Sequence, residues 1–133
     1  MDRKKLLKII TILIFAIFFV NFLILKFYWY SLFWWLDMPM HFLGGLWVGL
    51  TLLFIFPISK EILHPKKIFQ IIFGVLVIGI LWEFFEISLN NLTLKDSFNV
   101  LDTISDLFFD SAGASFSVFY YLKNIMFNSS NTV

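Results

Sequence analysis

Six carboxylates and one imidazole stand inside or beside stretches that are otherwise apolar enough to cross a membrane: Asp37, His41, Glu83, Glu86, Asp102, Asp106 and Asp110. An ionised Asp at the centre of such a helix costs about 2.5–3.5 kcal/mol on insertion scales, so these side chains persist where protons, partners, water or a metal ion compensate them. Carboxylates crowded at low dielectric cannot all stay ionised unless a cation neutralises them. Oxygen donors with a single imidazole suit a divalent ion such as magnesium, manganese, calcium, iron or zinc, and argue against copper.

The spacing argues for one shared site. Asp37 and His41 are four apart, Glu83 and Glu86 three apart, and Asp102, Asp106 and Asp110 form a four-residue series. Residues three or four apart share a helix face. Gly79 and Asn90 extend the glutamate face in its two directions. On this reading His41, Glu83, Glu86, Asp102, Asp106 and Asp110 are the metal ligands, Glu83, Glu86 and Asp106 supply catalytic bases, and Asp37 supports them from behind. A blander reading makes Asp37 an N-cap at the headgroup level and Asp102 a cap in interfacial water. It does not reach Glu83 and Glu86, which lie near a helix C-terminus where the dipole disfavours negative charge.

The elements that must position these groups follow from composition. The chain has 133 residues, 60% hydrophobic and only 14% charged, which points to an integral membrane protein. A span needs about 20 apolar residues. The hydropathy pattern predicts an all-α, four-helix transmembrane bundle in one domain, with spans over about 6–28, 38–56, 68–89 and 101–125. The apolar run after Arg3, Lys4, Lys5 and Lys8 is too long for a cleaved signal peptide and reads as a retained helix. Tyr28 to Trp35 is almost wholly aromatic and marks a bilayer interface. Gly44, Gly45 and Gly49 follow the histidine, and Ser111 to Ser115 follow the aspartates, so small residues favour close approach of the acid-bearing helices.

Lysine and arginine placement predicts both termini in the cytoplasm, with Lys26 and Lys95 as the basic residues left outside. In that orientation all seven groups fall in the outer half of the membrane. The expected setting is the bacterial cytoplasmic (inner) membrane, with the lipid bilayer as partner and oligomerisation open.

Several chemistries are disfavoured. Cysteine is absent, so there is no thiolate ligand, cysteine nucleophile or disulfide. Arg3 is the one arginine and lies far from the acids in sequence, so the cationic phosphate grip of lipid phosphatases is missing. Neither a nucleotide-binding loop nor a basic patch for nucleic acid is present.

Three segments carry a resemblance: Asp37-Met-Pro-Met-His41-Phe-Leu-Gly44, Trp82-Glu83-Phe-Phe-Glu86, and Asp102-Thr103-Ile-Ser-Asp106-Leu-Phe-Phe-Asp110-Ser-Ala-Gly113-Ala114. Their order and spacing resemble the YjdF-like family of small bacterial inner-membrane proteins and, more distantly, the VanZ-like proteins named for glycopeptide resistance. The arginine and asparagine common around the last aspartate of VanZ-like proteins are missing, and Asp110 stands where the YjdF-like pattern has no acid. The resemblance implies that Asp37, His41, Glu83, Glu86, Asp102 and Asp106 act as one constellation.

Three functions remain open. The first is a divalent-cation site acting on a lipid-linked or envelope substrate. The second is a proton- or cation-coupled transporter or channel element. The third is a structural factor whose polar groups only fix helix register. The apolar inner halves, Leu50 to Phe56, Ile71 to Ile78 and Phe116 to Leu122, disfavour a path through the membrane.

Overall fold

A computed structural model describes residues 2–58, 65–93 and 99–130. The connections holding Lys60, Glu61, His64 and Lys95 lie outside the described residues, as does the side chain of Asn90. Among those described, four long helices form an all-α membrane bundle: α1 (Arg3–Lys26), α3 (Asp37–Ile55), α4 (Pro65–Thr93) and α5 (Val100–Ser130). A short helix α2 (Trp29–Leu32) and a 3-10 turn (Trp34–Leu36) join α1 to α3.

The ends of these helices follow from their residues. The Asp2 carboxylate accepts the Lys4 N–H at 3.1 Å and starts α1. Lys26 lies in its last turn, where a cation suits the helix dipole. Tyr28 then takes a left-handed backbone (φ 55°), which turns the chain into the aromatic segment. Pro65 stands in the first turn of α4, where a missing N–H breaks no helical hydrogen bond. Asn99 starts α5: its side chain accepts the Leu101 N–H and its carbonyl the Thr103 N–H, each at 3.2 Å. Asp37 does not cap α3. It is already helical, the preceding Leu36 makes no side-chain cap, and its carboxylate turns to His41 one turn along.

The bundle has two ends. At the lower end α1 and α4 begin and α3 and α5 finish; at the upper end the reverse holds. Arg3, Lys4, Lys5, Lys8, Lys66, Lys67 and Lys123 belong to the lower end and Lys26 to the upper. The lower half is an apolar core of Leu6, Ile10, Leu50, Leu53, Ile58, Ile71, Val118 and Tyr121. Large apolar side chains such as Phe15, Phe18, Phe69 and Phe73 face outward, as a lipid-facing surface requires.

Helix α3 touches each of the other three long helices. It meets α1 at a hydrogen bond from the Trp47 indole N–H to the Ile10 carbonyl, 3.1 Å long, and the Arg3 guanidinium lies over the Phe54 ring. Trp47→Phe should cost at least about 1 kcal/mol, the net worth of one such bond, with lost ring packing against the core adding to it. Reversible unfolding in mixed detergent would measure it, and an unchanged midpoint would show that the bond contributes nothing.

Helices α3 and α5 approach most closely through glycine. A Cβ at Gly45 would strike the Asp110 backbone, and one at Gly113 would strike the Phe42 carbonyl oxygen and lie 2.6 Å from the Leu46 nitrogen. Gly49 lies against Ser117 and Ala114. Gly44 faces open space, with nothing within 4 Å of where a methyl group would lie, so it takes no part in this seam. The buried Ser117 hydroxyl donates to the Ala114 carbonyl at 2.7 Å, and Thr51 and Ser111 donate to the carbonyls four residues back. Hydroxyls in lipid are satisfied in this way within their own helix.

Candidate metal centre

The glycine seam fixes what faces what near the upper end. Asp110 itself lies against Gly45, and His41 on α3 and Asp106 on α5 each stand one turn above that contact, so the three side chains come together. His41 is buried between three aspartates. Its Nε2 lies 3.7 Å from Asp37 Oδ1 and 3.8 Å from Asp106 Oδ1, and its Nδ1 lies 3.4 Å from Asp110 Oδ1. The other Asp110 oxygen points at Gly79, where a Cβ would come within 2.5 Å of it. Glycine at 79 therefore makes the space on α4 that lets Asp110 reach the imidazole.

Helix α4 adds the glutamates. Glu83 is 7% exposed, and its Oε1 is buried with no hydrogen-bond partner. Such an atom forfeits its hydration without replacement, a loss of about 1–3 kcal/mol and more when charged. Thr103 and Trp82 place polar hydrogens beside Glu83 and Glu86 respectively. Among the described residues, His41 is the only ion-pairing partner of these acids.

Two sets of donor atoms are close enough to hold a metal ion. One is Asp37, His41 and Asp106; the other is His41, Glu83 and Glu86; within each set the donor atoms lie within 4.8 Å of one another. The structure thus brings Asp37, His41, Glu83, Glu86, Asp106 and Asp110 together from three helices. Asp37 stands among the donors, Asp110 stands on the far side of the imidazole from Asp37 and Asp106, and Asp102 is exposed one turn above Asp106.

Asp102 belongs instead to a cavity of about 260 Å³ at the upper end, between the starts of α3 and α5. Asp37, Asp102, Asp106, Asn99 and Ser105 form its polar side, and Trp34, Met38 and Leu101 its apolar side. Asp37 and Asp106 face both the cavity and His41, so the cavity ends directly on one donor set.

Tyr30 is a residue that helical periodicity could not place near the site. Its hydroxyl donates to Asn21 Oδ1 at 2.9 Å. Burial, then the Asp37 and Glu86 carboxylates, push its phenol up to about 12, so it remains a neutral donor at any physiological pH. Thr103 and Trp82 were visible as motif neighbours of the acids, but nothing in their spacing marked them as contacts.

An all-α bundle with buried acids around one imidazole defines a polytopic membrane protein with a polar centre near one end. The chain belongs to the DUF2238 family of predicted membrane proteins, which it matches over residues 2–125. No curated protein and no solved structure matches it.

Proposed function

We propose that the His41-centred site binds a divalent cation and presents it to a lipid-linked or envelope substrate that reaches it through the upper cavity. The observation that carries this reading is the buried, unpartnered Glu83 oxygen, set within reach of His41 and Glu86. A buried carboxylate oxygen is costly without a hydrogen bond or a counter-ion, and a cation in that position would supply for Oε1 what the described residues do not. The donor chemistry fits: carboxylate oxygens with one imidazole suit magnesium, manganese, iron or zinc. A bound ion would supply Lewis acidity and lower the pKa of a coordinated water. Asp106, Glu83 and Glu86 are the groups placed to take up a proton from the substrate or that water.

The placement of basic residues at the lower end supports an orientation with that end in the bacterial cytoplasm and the cavity outside. The YjdF-like and VanZ-like layout supports the same envelope setting. The transporter reading has less behind it, because the described side chains of the lower core are mainly apolar and the Ser117 and Thr51 hydroxyls there are bonded within their own helices.

The test is elemental analysis of protein purified in mild detergent, wild type beside a Glu83→Gln, Asp106→Asn double variant. The expected result is a near-stoichiometric divalent metal in the wild type that is lost in the variant. Wild-type protein that holds no metal even after reloading would sink the proposal.

A further inference from the structure

Asp110 makes the shortest of the three carboxylate contacts to the imidazole, yet it belongs to neither set of donor atoms that could share an ion. Asp37 and Asp106 approach Nε2, whereas Asp110 approaches Nδ1. Asp110 is buried, and it does not line the upper cavity. Its carboxylate therefore faces the imidazole rather than the side on which a substrate would arrive. An imidazole that binds a metal offers one nitrogen to the ion. A carboxylate on the other nitrogen accepts its N–H, which fixes the tautomer and the direction of the ring.

Two glycines on two helices hold Asp110 in that place. Its backbone lies against Gly45 of α3, which sets the position of its Cα. Its second carboxylate oxygen lies over Gly79 of α4, 2.5 Å from where a methyl carbon would stand. The next nearest atom to that point is Leu107 Cδ2, at 3.1 Å. Both obstructing atoms at Gly79 are ends of side chains, unlike the backbone atoms that face Gly113. A methyl group at 79 is thus accommodated by rotating the Asp110 carboxylate away, with the helices left in place.

We propose that Asp110 is a positioning residue of the cation site: it holds His41 at Nδ1 so that Nε2 faces the cation, and residue 79 is glycine to admit its carboxylate. This rests on the reading of the site as a cation centre and assigns two residues their work within it. Gly79→Ala should leave the metal-free protein as stable as the wild type or more so, since alanine favours the helix, and should weaken metal binding all the same. A purely structural glycine would not separate those two effects.

The experiment is Co²⁺ titration of the full chain in detergent, read by visible absorption, for wild type, Asp110→Asn, Gly79→Ala and the double variant. Each single variant should bind about 10–100-fold more weakly, the range for losing such a partner. The double variant should bind no more weakly than the weaker single, because both changes remove one contact. All four should share one spectrum at saturation, since the ligand atoms are the same. Wild-type affinity in Asp110→Asn would overturn the proposal. So would a changed spectrum in that variant, which would make Asp110 a ligand itself. Losses that multiply in the double variant would overturn the pairing with Gly79. Histidine-labelled ¹⁵N NMR of the Zn²⁺-loaded wild type, assigned with His64→Gln, decides the matter even where a variant does not fold. Hydrogen on His41 Nδ1 and metal on Nε2 are expected, and the reverse would overturn the proposal while leaving the cation reading standing. A wild type that binds neither ion would overturn both.

Discussion

Replacing Gly113 by alanine is expected to destabilise the bundle by about 3 kcal/mol, the upper part of the range for overpacking a close contact. The added methyl group meets the Phe42 carbonyl and the Leu46 nitrogen. Both are backbone atoms of α3, so no rotamer change relieves the clash and the two helices must separate. Separation withdraws Asp106 and Asp110 from His41, so metal retention should fall together with stability. Gly44→Ala is the matched control. It lies on the same helix as Gly45, meets nothing within 4 Å, and should gain up to about 1 kcal/mol from alanine's better helix propensity. Unfolding midpoints for the two variants in the same detergent give the comparison, and equal midpoints would contradict the seam as described.

Glu83→Gln is expected to reverse its effect with metal. In chelator-treated protein the variant should be more stable by about 1–3 kcal/mol, because it replaces a buried carboxylate that has one oxygen unpartnered. With metal added the order should invert. A ligand at a hundred times its Kd stabilises the native state by about 2.7 kcal/mol, and only the wild type would receive that in full. Thermal unfolding with and without added Mn²⁺ checks both halves. A variant more stable in both conditions would mark Glu83 as a structural remnant. One less stable in both would show that its carboxylate has a partner in the absence of metal.

Much of the fold was legible because three of the described helices advertise themselves by hydropathy, and all four long helices fall close to the segments read from sequence, although α5 is not apolar enough to stand as a span by itself. The convergence of the acids was legible for a related reason. Helical spacing put each set on one face, and alternating helix direction put all sets at one end. Finer placement was not legible. Gly44 and Gly45 are neighbours of the same type, yet only Gly45 meets α5, because which one faces α5 depends on helix rotation, which the sequence pattern leaves free. Asp102 and Asp106 belong to one stripe, but α5 leaves the packed region between them, so both line the cavity while only Asp106 is buried and reaches His41. Asp37 read as well as a cap as it did a donor, since an acid at a helix start suits both. Tyr30 approaches the acids from a segment with no periodic signal at all.

The polarity of α5 bears on how the chain reaches its membrane. Helices α1, α3 and α4 are each long and apolar enough to cross by themselves, while α5, with three aspartates and a run of small and hydroxylated residues, falls short among the described helices. A translocon sorting one segment at a time by partition free energy has reason to retain the first three and little to retain the fourth. What α5 gains from the bilayer is a docking site: Gly45 and Gly49 for its backbone and His41 for its aspartates. Membrane integration of the last helix is then itself an assembly step. A lesion in the α3 seam would then lower the yield of integrated protein as well as the stability of what is recovered.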